Sequence, residues 1–317
     1  MDKIERVERR VKLQDVRTLI LVVQTGSMGK AARRLATSQP AVSRAIANLE
    51  HTLGVPLLDR GPQGIEPTSY GQAIIARGVA VFDELRQGIK DIEFLSDPTA
   101  GELRFACSES MADGLVYEAI DQLTLRYPGM QFQAVTGVGP PLFDELTKRT
   151  VEFAISRMTE IAAKEYLVVE TLFRDSWVVA AALQNPWTGR RAVDLAELRN
   201  EPWVLPADGF GRALVGEAFR AIGLEPPKTS VATASLNLRK RLLATGRFLT
   251  MLPGYSVKLR DTSPRLKAVP VKLPESRAAA IAVVTLRNRT LSPAARLFIE
   301  TIRTIAKQLK LAEPIRP

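Results

Sequence analysis

The stretch GKAARRLATSQPAVSRAIANLEHTLGVPLLDR, Gly29 to Arg60, narrows the possible folds more than any other part of this 317-residue chain. Ala31 and Ala32 carry no bulk, so a second helix can approach closely there. ATSQP then breaks the helical pattern. Ser38 is suited to cap a new helix, and Pro40 in a first turn costs no hydrogen bond. From Gln39 to Leu53, the residues Val42, Ile46, Leu49 and Leu53 fall within roughly 60° of each other at about 100° per residue. They predict a buried stripe. The opposite face carries Pro40, Arg44, Ala47 and His51, with Ser43 and Asn48 on its shoulders. That face is small, polar and cationic.

A helix is expected just before this stretch, from about Leu13 to Gln24. Leu13, Val16, Leu19, Ile20 and Val23 follow the three–four spacing of one buried face. Gly26 is a natural helix stop and Ser27 a natural cap for a short helix from about Met28 to Leu35. The pattern predicts two helices meeting tightly, the second offering a surface whose first turns suit base edges in a major groove. Arg44 can grip guanine or a phosphate, while Gln39 and Ser43 can donate and accept. A three-helix module that binds protein is the competing reading.

After Gly54, two short extended pieces around GPQG predict a β-hairpin, with Arg60 placed to meet a nucleic-acid backbone. Ser69-x-x-Gln72 reads as a capping box that opens a long helix to about Leu95. Ile75, Gly78, Phe82, Leu85, Ile89 and Ile92 recur at alternating three and four spacing. A seam nearly three heptads long predicts pairing with a second chain, with a helix packed on its own domain as the alternative.

Composition excludes more than it identifies. The net charge is +10, but residues 1–96 hold 14 Lys and Arg against 11 Asp and Glu, so most of the excess lies beyond them. Charge alone is therefore a poor argument for DNA binding. The single histidine, His51, and single cysteine, Cys107, offer little for a zinc site, and a nucleophile–histidine pair would have to use His51, far in sequence from any pocket candidate; carboxylate-only or Lys/Tyr chemistry stays open. No phosphate-binding glycine loop and no membrane-length apolar run is present, and the charged N-terminus lacks the apolar core of a signal peptide. A cytoplasmic protein without cofactor or membrane partner is expected.

Beyond a boundary at Pro98 and Gly101, strand-like and helix-like segments alternate, which predicts an α/β fold with largely parallel sheets. Strands are expected at ELRFAC, MQFQAVT, EFAIS, SWVVAAAL, PWVLP, TSVATAS, RFLTML and AAIAVVTL. Helices are expected at about 113–127, 141–149, 211–222, 236–245 and 293–311. Ligands in such folds bind at the carboxyl ends of strands. Ser108 and Ser110, Thr136 and Gly137, Phe210 and Ser235 all follow strands and are candidate contacts for a small ligand. Helix N-termini there favour an anion, so a carboxylate or other acidic metabolite is expected. The plain alternative for each hydroxyl is a helix cap. Cys107 should border the cleft as a buried structural thiol rather than a redox sensor.

Residues 11–68 resemble the winged helix-turn-helix of LysR-type transcriptional regulators. The matching features are Gly26-Ser27, AARRL, SQPAVSRAIANLE, LG, PLLDR and Pro67-Thr68, with Met28 and Leu58 standing where that family usually has phenylalanine. Looser matches continue at RYPGMQF, VEFAI, PWVLP and GLEPP, where Glu152 replaces a usual aspartate. The resemblance implies a winged helix-turn-helix over 11–68 and a dimerisation helix over 69–96. An effector domain like periplasmic binding proteins would follow over 101–310. Its two Rossmann-like subdomains would comprise about 101–180 with 282–310, and about 181–281. It further implies a non-enzymatic regulator that binds promoter DNA at a dyad site as a dimer of dimers. The DNA contacts would come from Ser38, Gln39, Pro40, Ser43, Arg44, Asn48, Arg60 and Thr68. A cytoplasmic solute-binding protein and an α/β enzyme are the alternatives; the helix-turn-helix speaks against the first and the one-histidine inventory against the second.

Overall fold

A computed structural model describes residues 3–61, 64–97, 99–137, 139–158, 164–207, 210–258, 265–273 and 278–309. They fall into two compact units, residues 1–89 and 90–317. Pro98, which the sequence marks as a boundary, lies outside the described residues.

The first unit begins with α1 (Lys3–Glu8), α2 (Leu13–Thr25), α3 (Met28–Arg34) and α4 (Gln39–Leu53). Its punctuation follows the sequence closely. Gly26 and Gly54 end α2 and α4 with left-handed backbones, and Ser27 and Ser38 cap α3 and α4 through their hydroxyls. Ala36, in the turn between α3 and α4, takes φ 51°, which is rare for a residue with a Cβ. Ala31, Val42, Ile46 and Leu49 meet Leu19, Val22 and Leu57 in one core. β1 (Leu58–Gly61) and β2 (Gly64–Pro67) pair antiparallel and form the wing. Glu50 reaches across to accept hydrogen bonds from Leu57 N (2.7 Å) and Leu58 N (3.3 Å), tying α4 to the wing.

The helix α5 (Ser69–Ser96) is capped one residue earlier than expected. Thr68, not Ser69, supplies the oxygen that accepts from Gly71 N at 3.0 Å. The apolar seam also divides. Ile75 and Phe82 pack on the first unit's own core, and Gly78 faces Val16 so closely that a Cβ would stand 2.5 Å from its Cγ1. Leu85, Ile89 and Ile92 are exposed.

The second unit contains β3 (Ala100–Ser108), α6 (Glu109–Met111), α7 (Tyr117–Arg126), β4 (Gly129–Gly137), α8 (Pro140–Thr147), β5 (Phe153–Arg157), β6 (Leu167–Asp175), β7 (Trp177–Ala182), β8 (Trp203–Leu205), α9 (Phe210–Ala221), β9 (Thr229–Ala232), α10 (Leu236–Leu243), β10 (Thr250–Pro253), β11 (Leu266–Ala268), β12 (Ala279–Leu286) and α11 (Pro293–Gln308). A five-stranded sheet has the order β4-β3-β5-β12-β6, and a three-stranded one the order β10-β7-β11, beside the pair β8-β9. The expectation of largely parallel sheets needs correction. β3 is parallel to β4 and β5, but β12 runs antiparallel to β5 and β6, and β7 is antiparallel to both its neighbours. The chain returns to the first sheet in reverse after crossing to the second.

β7, from Trp177, is the central strand of the second sheet, and β12, from Ala279, lies in the first. β6, absent from the expected strands, closes one edge of the first sheet. The helix expected from 113 begins instead at Glu109 and passes through a π-helical turn, Ala112–Val116, before α7. Glu152 is 2% exposed and holds two elements together. It accepts from Lys90 Nζ at 2.8 Å, on the last part of α5, and from Ser292 N at 2.9 Å, at the start of α11.

Candidate functional site

Two surfaces answer to the residues picked out in the sequence. The first is the outer face of α4. Ser38, Gln39, Pro40, Arg44, Asn48 and His51 are exposed and Ser43 half-buried, while Val42, Ile46 and Leu49 point inward. Ser38 caps the helix: its hydroxyl accepts from Ala41 N at 3.3 Å and keeps its hydrogen and a second lone pair to offer. Thr68 has less to give. Its hydroxyl donates to Pro56 O at 2.8 Å while accepting from Gly71 N. It fastens the wing to α5, a task that its reading as a DNA contact does not include. The side chain of Arg60 and the hairpin tip at Pro62 and Gln63 lie outside the described residues. Arg33 and Arg34, exposed on the last turn of α3, are cations that sequence reasoning passes over. Charge at a helix end beside a polar reading face is the signal that could have marked them.

The second surface lies at the carboxyl ends of β3 and β4. Parallel pairing sets Ser108 beside Gly137 and Cys107 beside Thr136. Ser108 Oγ and Ser110 Oγ are 3.3 Å apart. Four of the six expected effector contacts are therefore brought to one place. Ser235 comes from the other subdomain, at the start of α10, where its hydroxyl accepts from Leu238 N at 3.2 Å. It is a helix cap, as the plain alternative has it. α10 is held to the segment after β3 by an ion pair between Lys240 and Asp113. Phe210's side chain lies outside the described residues, as do Asp208 and Gly209 before it.

A buried polar cluster underlies the crossing between subdomains, and nothing in the sequence singles it out. Arg157, at the end of β5, meets Asp175 at 2.5 Å, and its guanidinium lies 5.2 Å from the Trp177 ring centre. Asp175 also accepts from Tyr255 N at 2.9 Å. Burial raises the Asp175 carboxyl above its usual value even though Arg157 pulls it down. Burial likewise pushes the Tyr255 phenol up. Gly211, at the start of α9, leaves room for Trp177, whose ring would stand 3.1 Å from a Cβ there. The cluster ties three separate chain segments at the point where the chain first crosses.

Cys107 does not border the cleft. Its side chain sits in the apolar core of the first sheet with Leu103, Phe105 and Phe298, fully buried. Burial pushes its thiol up to about 11. At pH 8 roughly one thiol in a thousand would then be ionised, and the thiolate is the reactive form. A soluble thiol reagent is expected to leave the native protein unmodified over hours and to react at once after denaturation. Rapid labelling of the native chain at pH 8 would contradict the burial. Among the described residues, no group of three or more His, Cys, Asp or Glu could hold a metal ion, and no helix is long and apolar enough to cross a membrane.

With this geometry in view, comparison with known proteins is decisive. Residues 13–72 match the bacterial regulatory helix-turn-helix of the lysR family, and residues 96–307 match the LysR substrate binding domain. The chain belongs to the LysR family. The HTH-type transcriptional regulator YdcI of Escherichia coli is 25% identical over 304 residues, covering 96% of this chain and 98% of its own. A full-length OxyR variant from Pseudomonas aeruginosa aligns with a TM-score of 0.62 at 21% identity, over 92% of this chain and 95% of that one. Full-length CbnR in complex with its target DNA aligns with a TM-score of 0.56 at 20% identity, over 93% and 99%. The protein is a LysR-type transcriptional regulator, with a helix-turn-helix domain followed by an effector-binding domain.

Proposed function

We propose that α4 reads base edges in a DNA major groove, with Arg44, Gln39, Ser43 and Asn48 as its contacts. Arg33, Arg34 and the wing lie against the backbone. The observation that carries this reading is the exposed face of α4. It is polar and cationic from its capped N-terminus onward, while the other face is consumed by the core. An arginine that reaches guanine contributes about 1–3 kcal/mol of discrimination, whereas a phosphate contact weakens all sequences alike. Arg44→Ala is therefore expected to lose about 1–3 kcal/mol, roughly five- to 150-fold, on a site selected by the parent protein, and much less on random DNA. Fluorescence anisotropy at fixed salt measures both. Equal losses on the two DNAs would make Arg44 a phosphate contact.

The ends of β3 and β4, with α10 across from them, form the effector cleft in this reading. Ser108, Ser110, Thr136 and Gly137 supply hydroxyls and backbone groups suited to a small acidic metabolite. Two chains pair through the exposed stretch of α5, Leu85 to Ile92, which places two copies of α4 on a dyad site. The effector domains pair separately to give a dimer of dimers. Tyr117 and Leu125, two turns apart and exposed on α7, together with the unpaired edge of β4, support such a second contact.

A further inference from the structure

An open recess of about 600 Å³ lies between the helical segment after β3 and α10, a volume suited to a small metabolite. Its walls carry opposite charge. Glu109 and Asp113, about one turn apart, line one side; Lys240 and Arg241 line the other. Arg239 lies on the same helix, α10. Its partly buried guanidinium feels the charge of Glu109, and its Nε has no hydrogen-bond partner among the described residues. Asp113 sits on the π-helical turn, a local irregularity often found at functional positions. From there its carboxylate takes a hydrogen bond from the Lys240 ammonium, linking residues 127 apart in sequence.

A ligand that engages the charged ends of these walls competes with the pair between Asp113 and Lys240. Both side chains are mostly shielded from water, at 32% and 18% exposure. A pure anion would satisfy Lys240 and leave Asp113 without its partner beside a like charge. A pure cation would do the reverse. Leaving one member of such a pair unmatched is costly. A molecule with both charges hands each wall a new partner as it separates the old ones. Ala112, Leu236 and Ala244 add apolar surface to the same recess, beside the amide of Asn237.

We propose that this recess binds a free α-amino acid. Its carboxylate meets Lys240 and Arg241, and its ammonium meets Asp113 and Glu109. The inference rests on the effector-cleft reading above and narrows the acidic metabolite to a zwitterion whose ammonium matters as much as its carboxylate.

Calorimetric titration of the full chain with the twenty standard amino acids tests it. Each binder is then compared with its N-acetyl derivative, which keeps the carboxylate, and its amide, which keeps the ammonium. At least one amino acid is expected to bind, and either derivative to bind about tenfold or more weakly, as befits loss of a charge-assisted contact. Asp113→Asn should weaken the amino acid by a similar factor and spare the N-acetyl derivative. Asp113→Glu and Lys240→Arg should preserve binding, and thermal melts of all variants report their folding. An N-acetyl derivative that binds as well as its parent overturns the zwitterion assignment and leaves the anionic cleft standing. So does binding of succinate, citrate or phosphate when no amino acid binds. Affinity indifferent to both Asp113→Asn and Lys240→Met also overturns it, by placing the ligand elsewhere. If neither amino acids nor those acids bind, the amino-acid assignment and the acidic-cleft reading fail together.

Discussion

Ile89→Glu combined with Ile92→Glu is expected to yield a chain that folds normally, sediments as a smaller species and loses tight binding to dyad DNA. Ile89 is 56% exposed and Ile92 65%, and with Leu85 they form an apolar stripe on α5 that the described residues leave uncovered. Such a stripe on a soluble helix marks a contact with a partner. If a second copy covers it, the double variant sets four like charges against each other in an apolar seam. Because the residues are exposed within one chain, thermal stability of the separate fold should hardly change. Two linked reading heads bind a dyad far more tightly than one, by a factor on the order of 100 to 10,000. Affinity for a selected palindrome should fall by roughly that much, with mass by light scattering dropping by at least one association step. Parent mass and parent affinity would show that the stripe has another use. Phe82, which the bare heptad pattern also offers as a seam position, is unsuitable because it packs on the core of its own unit.

Gly71→Ala is expected to destabilise the first unit by about 3 kcal/mol or more, at the upper end of what an added methyl does in a packed site. A Cβ at Gly71 would stand 2.1 Å from the carbonyl oxygen of Leu57 and 3.3 Å from Pro67 Cβ. The nearest atom is backbone, held by the wing and by Glu50, so it cannot swing aside as a side chain would. Gly88→Ala is the matched control. The same methyl there meets nothing within 4 Å, and the alanine should stabilise the helix by up to about 1 kcal/mol. Hydrogen exchange read along the chain separates the outcomes. In Gly71→Ala the amides of α2 to α4 should lose protection while those of the five-stranded sheet keep theirs. Unchanged protection in α2 to α4 would mean that the backbone at Leu57 yields more easily than its contacts imply.

The N-terminal unit is legible in the sequence because its information is local. Ser27, Ser38, Gly26 and Gly54 each mark a helix end within a few residues, and Val42, Ile46 and Leu49 mark one face by spacing alone. Even the turn is marked, though not that Ala36 bears the left-handed backbone. The C-terminal unit is legible only in part. β6 escapes notice because it is an edge strand whose exposed and buried positions mix without a clear period. The sense of β12 cannot be read at all, since strand direction depends on where a distant segment returns. At the cleft, strand ends predict Ser108, Ser110, Thr136 and Gly137 as neighbours. Spacing carries no trace of Arg157 meeting Asp175, or of Asp113 meeting Lys240. Such pairs are made by the fold and become visible only with it.

The placement of β12 bears on how the protein is made. That strand occupies an interior position of the five-stranded sheet, between β5 and β6, yet it follows every other strand among the described residues in chain order. Until residue 286 has left the ribosome, β5 and β6 each present an unpaired edge, and the subdomain remains open while the other is already synthesised. Unpaired edges of this kind invite association with other nascent chains. Completion of the first sheet therefore waits until the whole of the second has been made, and a ribosome that stalls short of β12 releases a product with a gap through its central sheet. Slow or crowded synthesis, more than heat, is the condition under which this chain should be most prone to aggregate and most dependent on chaperones.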